Sequence, residues 1–154
     1  MSSLQQKFEE LSRTYPPQMR PSLVLPLLQH LQEEKGFLTS DDALAVADCT
    51  GVPPVQALEV LSWYTMLYRK PVGRHVIKVC HNITCSLRGA ERMVNHLQRK
   101  LGVKPGETTA DGRFTLLTVE CLASCGAAPS MQIDNTHHDG LSEARIDRIL
   151  EGIT

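Results

Sequence analysis

The sequence lacks the charge imbalance that would attract a nucleic acid or an anionic membrane. It has 16 lysines and arginines against 17 acidic residues, which gives a net charge of −1 at pH 7. No block of five like charges occurs anywhere along the 154 residues. Because both kinds of surface bind through concentrated positive charge, we expect neither nucleic acid nor an anionic membrane as a partner.

Long apolar runs are also missing. No stretch approaches the roughly 18 consecutive apolar residues that a membrane-spanning helix needs, so we expect no direct membrane insertion. The first residues, "MSSLQQKFEELSRTYPP", carry charges where a secretory signal would be apolar. These patterns predict a cytoplasmic protein.

No nucleotide-binding motif is recognisable. Neither G-x-G-x-x-G nor a P-loop occurs, so the sequence predicts no NADH site on this chain. No catalytic residues stand out, and we expect no substrate turnover from the isolated chain.

Cysteines are few and odd in number. Five are present, and an odd count in a reducing compartment fits a disulfide framework poorly. Cys49 is far in sequence from the other four cysteines, and we interpret it as a packing residue. The remaining cysteines form two pairs, and these carry the functional argument.

The first part of the chain is predicted to be helical. Ser3 and Ser40 are candidate N-caps, and Gly36 and Gly51 are candidate helix ends. The apolar stripe of the second helix comprises Leu23, Leu27, Leu28 and Leu31. The stripe predicted for the fourth helix comprises Val55, Leu58, Leu61, Ser62 and Thr65. Four helices therefore fill residues 3 to about 68.

The pattern changes near residue 71. "HVIKVC" alternates and predicts a strand that ends at Cys80, followed by one helix over residues 86–101. "FTLLTVEC" and "SMQID" are predicted strands, and Ser142 is predicted to cap a last helix. The order strand, helix, strand, strand, helix predicts an α/β (α+β) fold, with a small open sheet and helices on its faces.

Each cysteine pair begins where a predicted strand ends, which is where sites form in open α/β sheets. Four residues separate Cys80 from Cys85, and three separate Cys121 from Cys125. Both loops are wider than the usual two-residue zinc knuckle, and a [2Fe-2S] cluster, with two thiolates on each iron, tolerates wider loops. We expect small residues around Cys125 to let backbone amides approach the sulfurs, and the helix after Cys85 to point its N-terminal amides at them. The residues alone favour a [2Fe-2S] cluster, and a structural zinc site and a thiol redox pair remain alternative interpretations of the four cysteines.

The cysteine loops and their surroundings resemble the thioredoxin-like [2Fe-2S] ferredoxin family. "CHNITCSLRGAE" is similar to the first cysteine loop of the family and "ECLASCGAAP" to the second. "PPQMRPSLVLPLLQHLQEEKGFL" and "VPPVQALEVLSWYTMLYRKPVGRHVIKVC" resemble its N-terminal part and its approach to the first loop. The likeness extends over roughly residues 15 to 152. The family commonly has glycine where Ala123 stands, and an aromatic residue near His137.

The resemblance implies a fold and a function. The expected fold is an N-terminal helical module, residues 1–70, followed by a thioredoxin-like domain, residues 71–154. The ligands carried over one by one are Cys80, Cys85, Cys121 and Cys125. The expected role is an electron-transfer subunit of an NADH-quinone oxidoreductase, with one [2Fe-2S] cluster that exchanges electrons with the flavin of a partner. That partner would hold FMN and NADH. Equivalent subunits of NAD-reducing hydrogenases and NAD-dependent formate dehydrogenases are the alternative, and a zinc-stapled interaction module is the alternative of another class.

Four other features have two interpretations. His81 is either a hydrogen-bonding neighbour of the cysteine site or a solvated loop residue. His137 and His138 suggest a Rieske centre, but four well-spaced cysteines make it superfluous, and a polar turn between strand and helix explains them better. Trp63, Tyr64, Met66 and Tyr68 are interpreted first as helical core and second as a partner-facing patch.

Overall fold

The computed structural model describes residues 2–153. The chain divides into two compact units, residues 1–71 and residues 72–154. The first unit is helical, and the second combines a four-stranded sheet with helices. The predicted fold class, helices followed by an α/β domain, is confirmed.

The first unit contains four α-helices and a 3₁₀ helix. The helices are α1 (Ser3–Ser12), α2 (Val24–Lys35), α3 (Ser40–Thr50) and α4 (Pro54–Trp63), and the 3₁₀ helix (Pro17–Leu23) precedes α2. The four leucines of the predicted α2 stripe are all buried, which confirms that face. Gly36 and Gly51 end their helices in the left-handed conformation, as predicted.

Both predicted N-caps in this unit are wrong by one residue. Ser2, rather than Ser3, accepts a hydrogen bond from a first-turn amide of α1. Thr39, rather than Ser40, caps α3, because it forms a reciprocal capping box with Asp42. In each case two capping residues stand side by side, and the partner three residues on decides between them.

Helix α4 is shorter than predicted, and its buried face is different. It ends at Trp63, and its buried residues are Ala57 and Leu61. Val55, expected on the inner stripe, is 61% exposed, and Ser62 and Thr65 are exposed as well. Val55 therefore lies on the outer face of α4 rather than in the core.

The second unit is built on a sheet with strand order β2-β1-β3-β4. The strands are β1 (His75–Cys80), β2 (Phe114–Val119), β3 (Met131–Ile133) and β4 (Thr136–His138). Strand β1 pairs with β2 in parallel and with β3 antiparallel, and β3 pairs antiparallel with β4. Strand β4 corrects the interpretation of His137 and His138 as a turn.

One long helix is predicted after Cys85, and the structure has two. Helix α5 (Ile83–Leu87) contains Cys85, and helix α6 (Ala90–Leu101) follows it. They are separated by Gly89, whose φ of 90° is left-handed and ends the first helix. Cys85 therefore lies within a helix, and the expected helix N-terminus directly behind it is wrong.

Helix α7 (Glu143–Glu151) is capped by Ser142, as predicted. Its acidic residues pair with basic residues of α6, including Arg92 Nε with Glu143 at 2.9 Å and Lys100 Nζ with Asp147 at 2.8 Å. The core beneath these helices includes Ile77, Leu97 and Ile146, which are fully buried. Within residues 2–153, no helix is both long and apolar enough to cross a bilayer.

Candidate metal centre

The sheet brings both cysteine loops to one end of the second unit. Cys80 ends β1 and is in register with Val119, the last residue of the parallel neighbour β2. The amide of His81 then donates to the Val119 carbonyl at 3.0 Å, which keeps the two chains together beyond the strands. Cys121 follows two residues after Val119. The two loops therefore leave adjacent parallel strands at the same edge.

Cys80 and Cys85 form the inner pair. Both side chains are buried, in a small apolar cluster with Ala90 and Ala128. Burial raises the pKa of the Cys85 thiol; hydrogen bonds from Ser130 lower it, and the adjacent Cys80 thiol raises it. The net direction is upward. In the metal-free chain this thiol therefore holds its proton more tightly than a free cysteine does, and a metal must displace that proton.

Cys121 and Cys125 form the outer pair, and both are exposed. Their Sγ atoms are 3.8 Å apart. The Ala123 amide donates to Cys121 Sγ at 3.3 Å, as expected for a loop of small residues. Ala123 has a φ of 61°, a left-handed conformation that glycine adopts more easily.

The outer pair has the spacing that a metal requires. A tetrahedral metal that binds two thiolates at about 2.3 Å holds their sulfurs about 3.8 Å apart. All five cysteines are free thiols, so the four in these loops are available as ligands. Leu122, inside the second loop, packs against the apolar cluster that contains Cys80 and Cys85. The donor set and its placement fit a group with two thiolates on each of two metals.

In the described part of the chain, the four loop cysteines do not surround a single ion site. Among residues 2–153, no group of three or more histidine, cysteine, aspartate or glutamate side chains is placed to share one metal. Within each pair the two thiols are neighbours, as two ligands of one metal must be. This arrangement is compatible with a binuclear centre, in which each pair serves its own metal.

The other candidate residues lie in varied surroundings. His81 is half-exposed, and its Nε2 is 3.7 Å from Glu120 Oε1 on the second cysteine loop. His137 and His138 lie on β4, where the structure shows no metal-ligand group among the described residues. Burial, with Arg145 and His137 nearby, lowers the pKa of His138, although Asp139 acts in the opposite direction.

Cys49 belongs to the first unit, whereas both cysteine loops belong to the second. It packs against the core of the first unit, and its Sγ is 3.7 Å from Gln5 Oε1. Burial and the neighbouring Asp48 raise its pKa. The packing interpretation of this residue is confirmed.

The aromatic group at the end of α4 is not core, so its first interpretation is wrong. Trp63 is 80% exposed, and Tyr64 and Met66 are also exposed. Only Tyr68 is half-buried. A second apolar feature was missed: Ile83 and Leu87, on the outer side of α5, are 74% and 83% exposed. Their four-residue spacing with a cysteine between them was the available signal, since a helix that buries Cys85 must turn both outward.

A small α/β fold with two cysteine pairs at one sheet edge defines a class of iron–sulfur protein. The chain belongs to the thioredoxin-like [2Fe-2S] ferredoxin family, whose model matches residues 8–154. Membership of this family confirms the expected [2Fe-2S] cofactor.

The particular relatives are components of one kind of complex. The chain is 39% identical over 149 residues to the E 2 subunit of the NADH-quinone oxidoreductase of Rhizobium meliloti, covering 97% of this chain and 88% of that one. It is 35% identical over 146 residues to NADH-quinone oxidoreductase subunit 2 of Thermus thermophilus, covering 94% and 81%. It is 39% identical over 124 residues to the E-type subunit of the NADH-quinone oxidoreductase of Escherichia coli, covering 80% and 75%.

A solved structure supports the fold independently. The chain matches an NAD+-reducing [NiFe]-hydrogenase in the air-oxidized state with a TM-score of 0.67 over 80% of its length. It spans only 22% of that hydrogenase chain, at 24% sequence identity. This likeness supports the fold alone.

Proposed function

We propose that the chain is an electron-transfer subunit of an NADH-quinone oxidoreductase and exchanges electrons with the flavin of an NADH-oxidising partner. The observation that carries the proposal is the pair of adjacent cysteine loops, with the outer sulfurs 3.8 Å apart in a chain that matches the [2Fe-2S] family. The relatives named above support the choice of complex. When bound, the cluster supplies a site that accepts and returns a single electron.

The proposed ligands are Cys80, Cys85, Cys121 and Cys125, and the two pairs have different roles. The buried pair anchors one metal within the fold, where Ser130 hydrogen-bonds Cys85. The exposed pair presents the other metal at the surface, with the Ala123 amide on one sulfur. Because electron exchange requires a close approach, the partner flavin faces the exposed pair.

Two apolar patches are proposed contacts for the flavin-binding partner. The α4 patch consists of Trp63, Tyr64 and Met66, and the α5 patch consists of Ile83 and Leu87. Large exposed side chains of this kind are enriched at the centres of protein interfaces, and tryptophan and tyrosine are the most enriched. The α5 patch lies on the helix that carries Cys85, so a partner seated there is close to the cysteine site. The proposed location is the cytoplasm, at the inner-membrane periphery through the complex.

A second candidate function is thiol–disulfide exchange at the outer pair. Cys121 and Cys125 are exposed, free and close together, which is also the arrangement that a dithiol needs before it closes. This candidate requires no metal and leaves the buried pair without a role. Zinc is the third candidate, and cysteine loops wider than the usual two-residue zinc knuckle favour the cluster over it.

Visible absorption separates these candidates. The full chain is expressed anaerobically with iron and sulfide available, and its absorbance, iron and acid-labile sulfide are measured. We expect a red-brown protein with about two irons and two sulfides per chain. Chemical reduction should then give an electron paramagnetic resonance signal of one unpaired spin. A colourless chain, whether it contains zinc or a disulfide, would refute the proposal.

The choice of complex is tested by the partner. The full chain is mixed with purified flavin-binding proteins of a quinone reductase, a hydrogenase and a formate dehydrogenase from the same source organism. Preferential binding to the quinone-reductase flavoprotein is expected. Preference for either of the other two flavoproteins would assign the chain to that complex instead.

A further inference from the structure

A side-chain hydrogen bond joins the two cysteine loops. Asn82, between Cys80 and Cys85, donates from Nδ2 to Glu120 Oε2 at 2.7 Å. Glu120 immediately precedes Cys121. The two residues are 38 positions apart in sequence, so the bond connects loops that the backbone does not join directly.

The orientation of Asn82 is fixed by a second contact. Its Oδ1 accepts from the Ile83 amide at 2.9 Å, and the residue is the N-cap of α5. Because the carbonyl side of the amide is used by the helix, its nitrogen remains as a donor toward the second loop. A carboxylate is the matching acceptor, since it has no hydrogen to donate. The Asn82–Glu120 bond therefore has one consistent polarity.

Few other contacts hold the loops together. The His81 amide donates to the Val119 carbonyl at 3.0 Å, and Leu122 packs against the buried cysteines. His81 Nε2 is a more distant neighbour of Glu120, at 3.7 Å. The backbone bond acts at the strand ends, and Leu122 acts through its apolar contact with the cluster that contains Cys80 and Cys85. The Asn82–Glu120 bond acts between these, next to ligands of both pairs.

We propose that Asn82 and Glu120 are positioning residues that hold the two cysteine pairs at the separation required by the cluster. This inference rests on the proposed function, because it assigns the pairs to one binuclear centre. Outer contacts that orient ligands affect metal retention because they limit ligand movement when a metal–sulfur bond breaks. Glu120 has a second effect: its negative charge beside the site opposes the addition of an electron, which lowers the reduction potential.

The variants separate these effects. Asn82→Ser keeps a residue that caps helices well but is too short to reach Glu120. Glu120→Ala removes the acceptor, whereas Glu120→Gln keeps an acceptor oxygen and removes only the charge. Asn95→Ser and Glu91→Ala, on the exposed side of α6, are matched controls for residue type.

The first measurement is the rate of cluster loss from the full chain in excess chelator without oxygen, followed by visible absorbance. We expect Asn82→Ser and Glu120→Ala each to accelerate loss about tenfold, the lower end of the effect of outer-shell partners. The double variant should lose the cluster no faster than the faster single variant, because both changes break the same bond. Rates like those of the controls, or multiplied rates in the double variant, would overturn the proposal.

The second measurement is the midpoint potential. Glu120→Gln should raise it while cluster loss stays within about twofold of the unmodified chain, because the acceptor is retained. Asn82→Ser should raise it less, since the carboxylate remains. An unchanged potential in Glu120→Gln would refute the electrostatic part, and urea unfolding of the metal-free variants identifies any general loss of stability.

A third measurement does not depend on the cluster. In the metal-free chain, amide hydrogen exchange at Ala123 and Ser86 should be several-fold faster in both Asn82→Ser and Glu120→Ala. Unchanged exchange would refute the positioning role even if the unmodified chain held no cluster. An unmodified chain that shows this coupling but binds no iron would instead refute the proposed function.

Discussion

The Ala123 amide and Cys121 Sγ are 3.3 Å apart, and this contact depends on an alanine in the left-handed region of backbone conformation. Alanine is sterically disfavoured there because its Cβ approaches the preceding and following peptide groups. In this conformation the Ala123 amide points at the sulfur of a proposed ligand. Stability and electronic tuning are therefore coupled at one position.

Replacing Ala123 with glycine should affect both properties. The free energy of unfolding of the metal-free chain should rise by about 0.5–1 kcal/mol, because strain relief exceeds the added entropy of the unfolded glycine. In the loaded chain, the freer loop weakens the amide–sulfur bond, so the midpoint potential should fall. Urea unfolding and redox titration measure the two effects. Ala127→Gly, outside the left-handed region, is the control, and equal stabilisation by both changes would contradict the argument.

Single cysteine variants test the ligand assignment. Cys80, Cys85, Cys121 and Cys125 should each be required for a normal cluster, because each iron needs two protein thiolates. Cys49→Ala should keep the full cluster, since it only packs in the helical unit. Iron and sulfide analysis of the five variants decides the question. Loss of the cluster in Cys49→Ala would overturn the assignment.

Trp63→Ala should weaken binding of the flavin-binding partner about tenfold or more, as expected for an interface tryptophan. Its stability should change by less than about 0.5 kcal/mol, because the side chain makes little contact with the rest of the fold. Binding is measured by titration with the purified partner. Leu44→Ala, on α3, is the control at another partly exposed apolar residue. Equal affinities of the Trp63 and Leu44 variants would exclude the α4 patch.

A truncated chain that starts near Lys70 should keep the cluster and lose partner affinity. All four proposed ligands lie in residues 72–154, which have a core of their own. A domain of this size has little stability to spare, so cluster content is measured by absorbance before binding is tested. If the loaded truncated chain binds the partner as tightly as the full chain, the helical unit is not a docking element.

Asp42→Asn should reduce stability in a pH-dependent way. Asp42 is buried, which by itself raises its pKa, but hydrogen bonds from Lys35 and Thr39 outweigh burial and lower the pKa below its ordinary value of 3.8. A carboxyl whose folded pKa is depressed stabilises the fold above its unfolded pKa and loses that contribution as pH falls through the folded pKa.

The expected cost of Asp42→Asn at pH 7 is about 1.5–3 kcal/mol, the range for a hydrogen bond to a charged group. The difference from the unmodified chain should shrink once pH drops below about 4. Urea unfolding at several pH values measures it. Asp41→Asn, on the exposed first turn of α3, should cost only about 0.3–0.5 kcal/mol. A pH-independent cost for Asp42→Asn would show that the charge does not matter.

The sequence predicts elements whose signals are local and repeated. Strand His75–Cys80 follows from alternation, and the buried face of α2 follows from its leucine spacing. The break at Gly89 was missed because glycine within a helical pattern is tolerated until its conformation is known. Strand β4 was missed because three polar residues at a sheet edge carry no alternation signal.

The grouping of the four cysteines into two pairs was predictable, and the surroundings of the pairs were less so. Cysteine spacing indicated which thiols belong together, whereas burial of one pair and exposure of the other depend on tertiary packing, such as that of Ala128 and Leu122 around Cys80 and Cys85. The exposure of Trp63 was not predicted either, because a large aromatic side chain at the end of an apolar helix is core by default, and the sequence does not show whether anything packs on it. The Asn82–Glu120 bond connects positions that no local pattern relates.

The unequal exposure of the two cysteine pairs also predicts where oxidation by air should damage the cysteine site first. In the proposed centre, oxidants would reach the metal on the outer pair first, so damage would begin at Cys121 and Cys125 while Cys80 and Cys85 stay shielded. Once the metal has left, the outer thiols are near enough to close into a disulfide, giving two protons and two electrons to oxygen. That bond would block reloading with iron. Recovery after oxidative stress should therefore need a thiol reductant before any iron donor can act.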